Sequence, residues 1–345
     1  MNTLARYLVL CVFAVLQLCV APLAHADKGI NGNELYTQSD EALAATIAGY
    51  QRLGVKWVRF DFDWSVIEPA PNAYNVKGYD RVVERLARAD IRILGIIAYT
   101  PAWANGGKSG KFHPPADAGA FARFAGYLAA RYSARGVHAW EIWNEPNLGQ
   151  FWGNAPDPAA YASLLKRAYP AIKKADPSAW VVTGGLAQPA TSATAIDALA
   201  FLEAVYRHGA QGYFDAVGNH PYTSPRMPGE LMAHNWRRMA AASPSLLSVM
   251  KRYGDGDKKI WITEYGAPTG GKDRWGTVIA EERQAIMVEQ AFAEAAPHGW
   301  AGPVFWYNYR DFCPYRPEAD SECFFGLVRF DGSLKPAFEK FRLAR

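Results

Sequence analysis

Trp140-Glu141-Ile142-Trp143-Asn144-Glu145-Pro146-Asn147 opens as an apolar, aromatic run and ends in an amide, a carboxylate and a proline. The run reads as a buried strand. Proline stops it, because a residue without an N–H cannot donate the next ladder bond. A strand that ends this way delivers polar chemistry to the edge of a core. Glu145 is therefore a candidate for a reacting group, as one half of a carboxylate pair.

Outward from this strand, short apolar runs alternate with segments of helical spacing. Upstream, Gly29 to Gly32 reads as a first strand, and Ser39 to Leu53 as a helix with apolar residues at 43, 47, 50 and 53 and Gly54 as its stop. Val55 to Phe60 is strand-like and runs into Asp61-Phe62-Asp63-Trp64. Tyr79, Val82, Val83 and Leu86 mark a helix, Ile91 to Ala98 a strand, and Phe121, Phe124, Leu128 and Tyr132 a helix ended by Gly136. Downstream, Asp157-Pro158 is an N-cap with proline in the first turn, and Pro170 is expected to kink the helix it opens. Trp180 to Thr183, Phe214 to Val217, Ile260 to Thr263 and Val304 to Tyr307 read as strands. Ala195 to Tyr206, a helix within 230–252, Glu281 to Ala295 and Pro336 to Leu343 read as helices. Eight strands in alternation with helices predict a single-domain α/β fold, the (β/α)8 TIM barrel, over residues 27–345. An open doubly wound sheet would carry a Gly-x-Gly-x-x-Gly turn after an early strand, and the chain has none.

Half the residues are apolar and a fifth are charged, which fits a folded globular chain. The formal charge of +4 is spread without a basic block, so nucleic acid is not an expected partner. Residues 1–26 read as a secretory signal: Arg6 gives the positive start, Tyr7 to Val20 the apolar run, and Ala24-His25-Ala26 the cleavage site. That run is short for a membrane span. The expected location is the periplasm or outside the cell. Cys11 and Cys19 leave with the signal, and Cys313 and Cys323 are expected to pair as a disulfide in the exported chain. No metal-ligand spacing accompanies them, so neither metal nor other cofactor is expected.

In a barrel of this kind the active site forms where the strands end. Those ends present Arg59, then Asn144 and Glu145, then His220 and Tyr222, then Glu264, with Trp306 on the last strand. Two glutamates on strands four and seven face one another across a closed barrel. Cleaving an acetal needs a proton for the leaving oxygen and an anion facing the developing oxocarbenium carbon. At a separation of roughly 5–5.5 Å, the second carboxylate must itself attack carbon.

Trp-Glu-Ile-Trp-Asn-Glu-Pro-Asn at 140–147 and Trp-Ile-Thr-Glu-Tyr-Gly at 261–266 resemble the paired signatures of clan A retaining glycoside hydrolases. Within the clan, the likeness is to family 39, in particular its bacterial members acting on biofilm exopolysaccharide. Residues 57–64, 147–152 and Asn219-His220-Pro221-Tyr222 extend it. The resemblance implies Glu145 as acid/base, Glu264 as nucleophile, and Asn144 as the contact to the sugar 2-hydroxyl. It implies Arg59 and Tyr222 as partners of the nucleophile, with His220 beside them, and Trp306 as the platform under the sugar. The chain departs from some clan members after strand three, where Tyr99-Thr100-Pro101 replaces a histidine-bearing segment.

Glu141, four residues deeper than Glu145, reads as a structural carboxylate. Trp140, Trp180 and Trp261 read as core. Trp64, Trp103, Trp152 and Trp275 lie near strand ends and are either core or lining for sugar subsites; a groove lined by them would favour endo action. Asp61 and Asp63 either bind hydroxyls or pair with basic neighbours. The expected partner is a polysaccharide, and the protein is expected to be a monomer. A transglycosylase with the same residues, or a catalytically silent polysaccharide-binding barrel, are the competing readings.

Overall fold

The computed structural model describes residues 26–33, 35–153, 155–273 and 276–344. The expected signal segment, apart from Ala26, and Trp275 lie outside them. Eight parallel strands close into a barrel in sequence order: β1 (Lys28–Asn31), β2 (Trp57–Asp63), β3 (Arg92–Ala98), β4 (Ala139–Ile142), β5 (Trp180–Thr183), β6 (Ala216–Asn219), β7 (Lys259–Tyr265) and β8 (Ala301–Trp306). The (β/α)8 reading is correct. Helices cover the outside, and the Ala118–Tyr132 and Pro158–Ala175 helices pack against each other beside β4. No helix among the described residues is long and apolar enough to cross a membrane.

Local chemistry sets the element ends. Ser39 accepts from Ala42 N–H to cap the Asp40–Leu53 helix, and Gly54 ends it with φ 68°, a left-handed turn that favours glycine. Asp157 caps the Pro158–Ala175 helix, as expected. That helix continues through Pro170 without breaking. Pro170 lies on its exposed side, where water can take the carbonyl that proline leaves unpaired. The helix expected within 230–252 is instead two short ones, His234–Arg237 and Leu246–Arg252. Pro244 lies between them, and Ser245 restarts the chain through a capping box with Ser248.

Side chains alternate across each strand, so every second residue points into the barrel. Trp57, Leu94, Ala139, Val182, Ala216, Trp261 and Phe305, from seven strands, form a separate buried cluster that plugs the interior. The eighth strand contributes Gly29, because the Phe305 ring occupies the space a side chain would need. Trp180, expected in the core, is 43% exposed at the start of β5, where it shares the face of Val182 and packs on Trp261 at the mouth of the barrel. This plug gives the polar residues one stage nearer the strand ends a rigid floor.

Candidate active site

Arg59 stands directly above the plug. It follows Trp57 on the inward face of β2, is 2% exposed, and uses its guanidinium as a fork. Nε and Nη2 donate to the two Glu141 oxygens at 2.6 and 3.2 Å. Nη1 donates to Asn31 at 2.8 Å and to Glu264 at 2.6 Å, and Nη2 to Asn144 at 2.8 Å. Glu141 also accepts from the Gly185 N–H at 2.8 Å. The pair Arg59–Glu141 is thus fully desolvated but also fully bonded, the condition under which a buried ion pair is tolerated. The structural reading of Glu141 holds: it aims Arg59.

β4 must deliver two neighbouring residues, Asn144 and Glu145, into the same space, which alternation forbids. The backbone solves this with positive φ at Trp143 (72°) and Glu145 (42°). Bulky residues occupy that region only under constraint. Here the constraint is visible: the Trp143 ring is fully buried against Trp152 and Phe121 and donates Nε1–H to Phe151 O at 2.7 Å. The Glu145 N–H is tied to Gly185 O at 3.1 Å. Asn147 locks the following loop through Ala187 and Ile196. β7 uses a different device. Its register against β8 slips between Ile262 and Tyr265, and this bulge re-aims Glu264 inward although the Thr263 side chain, next to Gly185 and His220, already faces the interior.

One oxygen each of Glu145 and Glu264 and a ring nitrogen of His220 all lie within 4.8 Å of one another. His220 Nδ1 is 2.8 Å from Glu145 Oε1 and 3.6 Å from Glu264 Oε2, and its Nε2 is buried without a partner among the described residues. The Tyr222 hydroxyl donates to Glu264 Oε2 at 2.9 Å. Burial pushes the Glu264 carboxyl up, but the positive fields of His220 and Arg59 and the hydrogen bonds from Tyr222 and Arg59 outweigh it, and its pKa ends below the ordinary value. Burial likewise pushes Asp61 up, to about 7, against the pull of Arg59. The Glu-His-Glu set also has the donors a divalent ion would use. Arg59, however, already places a full positive charge 2.6 Å from Glu264, where it repels a second cation.

The carboxylates open into a cavity of about 1200 Å³ lined by Arg59, Asp61, Tyr99, Asn144, Gln150, Phe151, Gln188, Tyr222, Asn235, Tyr307, Phe312, Glu322 and Phe325, among others. The structure brings together Arg59, Asn144, Glu145, His220, Tyr222 and Glu264 as expected. It does not bring the tryptophans. Trp64 is fully buried and stacked on Phe124, with Nε1–H on Glu68. Trp152 is buried between Trp143 and Tyr161, and Trp103 donates to the Glu68 carbonyl beside Trp64. Their side chains complete the helix layer, and none lines the cavity. Trp306 is also fully buried. It pairs in register with Tyr265, whose side chain points outward against Trp236, so Trp306 points outward too. The next residue, Tyr307, faces the cavity. Period-two alternation along β8 from Phe305, which points into the plug, would have found it. Asp63 caps the short Trp64–Ile67 helix and pairs with Lys111 at 2.6 Å, whereas Asp61 faces the cavity. Cys313 and Cys323 are bonded, as expected.

The cellulase family model (glycosyl hydrolase family 5) matches residues 23–308. No curated protein matches the chain. Among solved structures, a family 39 glycoside hydrolase from the gut symbiont Bacteroides cellulosilyticus WH2 superposes with a TM-score of 0.71 at 23% identity, over 93% of this chain and 63% of that one. The chain therefore spans less than two thirds of that protein's length. A GH5_18 protein from Streptomyces cattleya, solved with GlcNAc, gives 0.66 at 16% identity over 92% and 79% of the two chains. Xylanase 10B from Thermotoga petrophila RKU-1, solved with xylobiose, gives 0.60 at 15% over 92% and 93%. At these identities the likenesses speak for the fold.

Proposed function

The chain belongs to the cellulase family, glycosyl hydrolase family 5, and we propose that it is an O-glycosyl hydrolase that cleaves a polysaccharide with retention of configuration, through a covalent intermediate on Glu264. The clan read from the motifs and the clan of the family model agree; the motifs pointed to family 39 within it, and the family model is that of family 5. The observation that carries the mechanism is the approach of the Glu145 and Glu264 oxygens to within 4.8 Å. This approach of the nearest oxygens supports the short carboxyl separation of retaining enzymes, which leaves no room for an intervening water.

In the first step Glu145 gives its proton to the glycosidic oxygen as the C1–O bond breaks, and a Glu264 oxygen forms the new bond to C1. In the second, water attacks C1 as Glu145 takes its proton, and the bond to Glu264 breaks. Arg59 and Tyr222 each donate to one Glu264 oxygen and keep it ionised for attack. His220 holds Glu145 in place through Nδ1. Asn144 accepts from Arg59 through Oδ1, which turns its NH2 group toward the cavity as a donor for the sugar 2-hydroxyl.

A cavity of about 1200 Å³ exceeds the roughly 300–1,000 Å³ that encloses a drug-sized ligand. That supports a substrate of several sugar units and endo action on an exopolysaccharide. The signal-like residues 1–26 and the paired cysteines support export. The test is proton NMR of the first anomer released from a panel of neutral polysaccharides. The parent configuration should appear first, and Glu145→Gln should lower kcat by roughly 10²–10⁴. Inverted product, or full activity in Glu145→Gln, would overturn the proposal.

A further inference from the structure

Phe312 and Glu322 each immediately precede one cysteine of the Cys313–Cys323 disulfide, and both line the cavity that holds Glu145 and Glu264. The two are locked into one wall. The Phe312 N–H donates to Cys323 O at 2.8 Å, and the loop after β7 grips the same segment through Lys272 N–H to Ala319 O at 2.6 Å. Phe312 is 46% exposed, an aromatic face held open toward solvent. Glu322 accepts from the Tyr307 hydroxyl through Oε1 at 2.5 Å, and its Oε2 has no partner among the described residues. An exposed ring beside a carboxylate oxygen with spare lone pairs is what a sugar offers both an apolar face and hydroxyl donors to.

The charge of the cavity narrows the class. Its charged lining among the described residues is Arg59, Asp61, Glu145, Glu264 and Glu322. Arg59, the one cation among these, is spent on Glu141 and Glu264. Among the described residues no free positive group therefore lines the cavity to meet an incoming anion, while Glu322 repels one. We propose that Phe312 and Glu322 form a substrate-binding wall, positioned by the disulfide, that accepts a sugar unit without a carboxylate, neutral or amine-bearing, and rejects uronate. This deepens the glycosidase reading and rests on it.

The test is affinity electrophoresis of the Glu264→Gln protein, which leaves the glycan intact, in gels containing konjac glucomannan, hydroxyethyl cellulose, chitosan or alginate. At least one of the first three should retard it, and alginate should not. Adding Phe312→Ala should weaken that retardation about tenfold, the ratio expected for one lost stacking contact. Glu322→Lys should create retardation by alginate, and the milder Glu322→Gln should weaken retention by chitosan, with unchanged melting as the folding control. Retention by alginate as strong as by the others, retention by none, or variants that migrate like the parent would overturn the wall. If the wild type fails to cleave a glycan that the wall retains, the hydrolase mechanism falls and the wall stands.

Discussion

Glu264 is held by two donors of different kinds, the Arg59 guanidinium at 2.6 Å and the Tyr222 phenol at 2.9 Å. Both favour the ionised carboxylate, and its pKa lies below the ordinary value. The nucleophile is therefore ready at pH values where a free glutamic acid, with a pKa near about 4.3, begins to protonate. The same depressed value makes the folded state more stable above the unfolded carboxyl range, a contribution lost as pH falls through the folded pKa. Tyr222→Phe removes one donor to the anion and nothing else. The acid limb of kcat/KM should move to higher pH by about half a unit to one unit; a limb that stays in place would show that Tyr222 does not hold the nucleophile. These roles were legible in the sequence through the resemblance of its strand-end motifs to those of clan A glycoside hydrolases, which implied them position by position. The contact of His220 with Glu145 was not, since the loops after β4 and β6 are separated by β5 and meet only in three dimensions.

At the scale of elements, the site depends on places where the regular pattern fails. Two positive-φ residues after β4 and a register slip in β7 put Asn144, Glu145 and Glu264 where simple alternation would not. Trp306 was misplaced for another reason: Phe305 points into the plug, so Trp306 turns outward and Tyr307 inward, and three consecutive aromatics do not mark which of them faces the cavity. The loop tryptophans misled for a related reason. Position near a strand end does not say whether an indole turns into the cavity or back into the helix layer, and Trp64 finds its hydrogen-bond partner in Glu68, on the buried side. The end of β5 offers a direct test. A Cβ on Gly185 would collide with His220 Nε2 and Thr263 Oγ1, so Gly185→Ala should turn His220 away from Glu145. We expect kcat to fall at least tenfold with a stability loss of roughly 1–3 kcal/mol. Unchanged kcat, read beside the melting temperature, would remove His220 from the machinery.

Across the whole molecule, the strand count and the alternation carried the barrel, because a parallel strand buried on both faces leaves an apolar run that survives any loop sequence. The shape of the cavity was not written there; loops after several strands make it, and one wall comes from the segment after β8, whose sequence mark was a pair of cysteines ten residues apart. Closing a loop of that length contributes about 2–3 kcal/mol in the chain-entropy account. Cys313→Ser with Cys323→Ser should therefore lower the unfolding free energy by about that much in denaturant titration, and a change near zero would mean that the segment is held by its hydrogen bonds alone. The central claim is that Glu264 becomes covalently bonded to the sugar. Incubation with a panel of activated 2-deoxy-2-fluoroglycosides, followed by mass spectrometry of the digested protein, tests it most directly. We predict a stable adduct of one fluorosugar on the peptide carrying Glu264, absent from Glu264→Gln. An adduct on Glu145 or Glu322, or turnover of a glycan with no adduct from any fluorosugar, would contradict it.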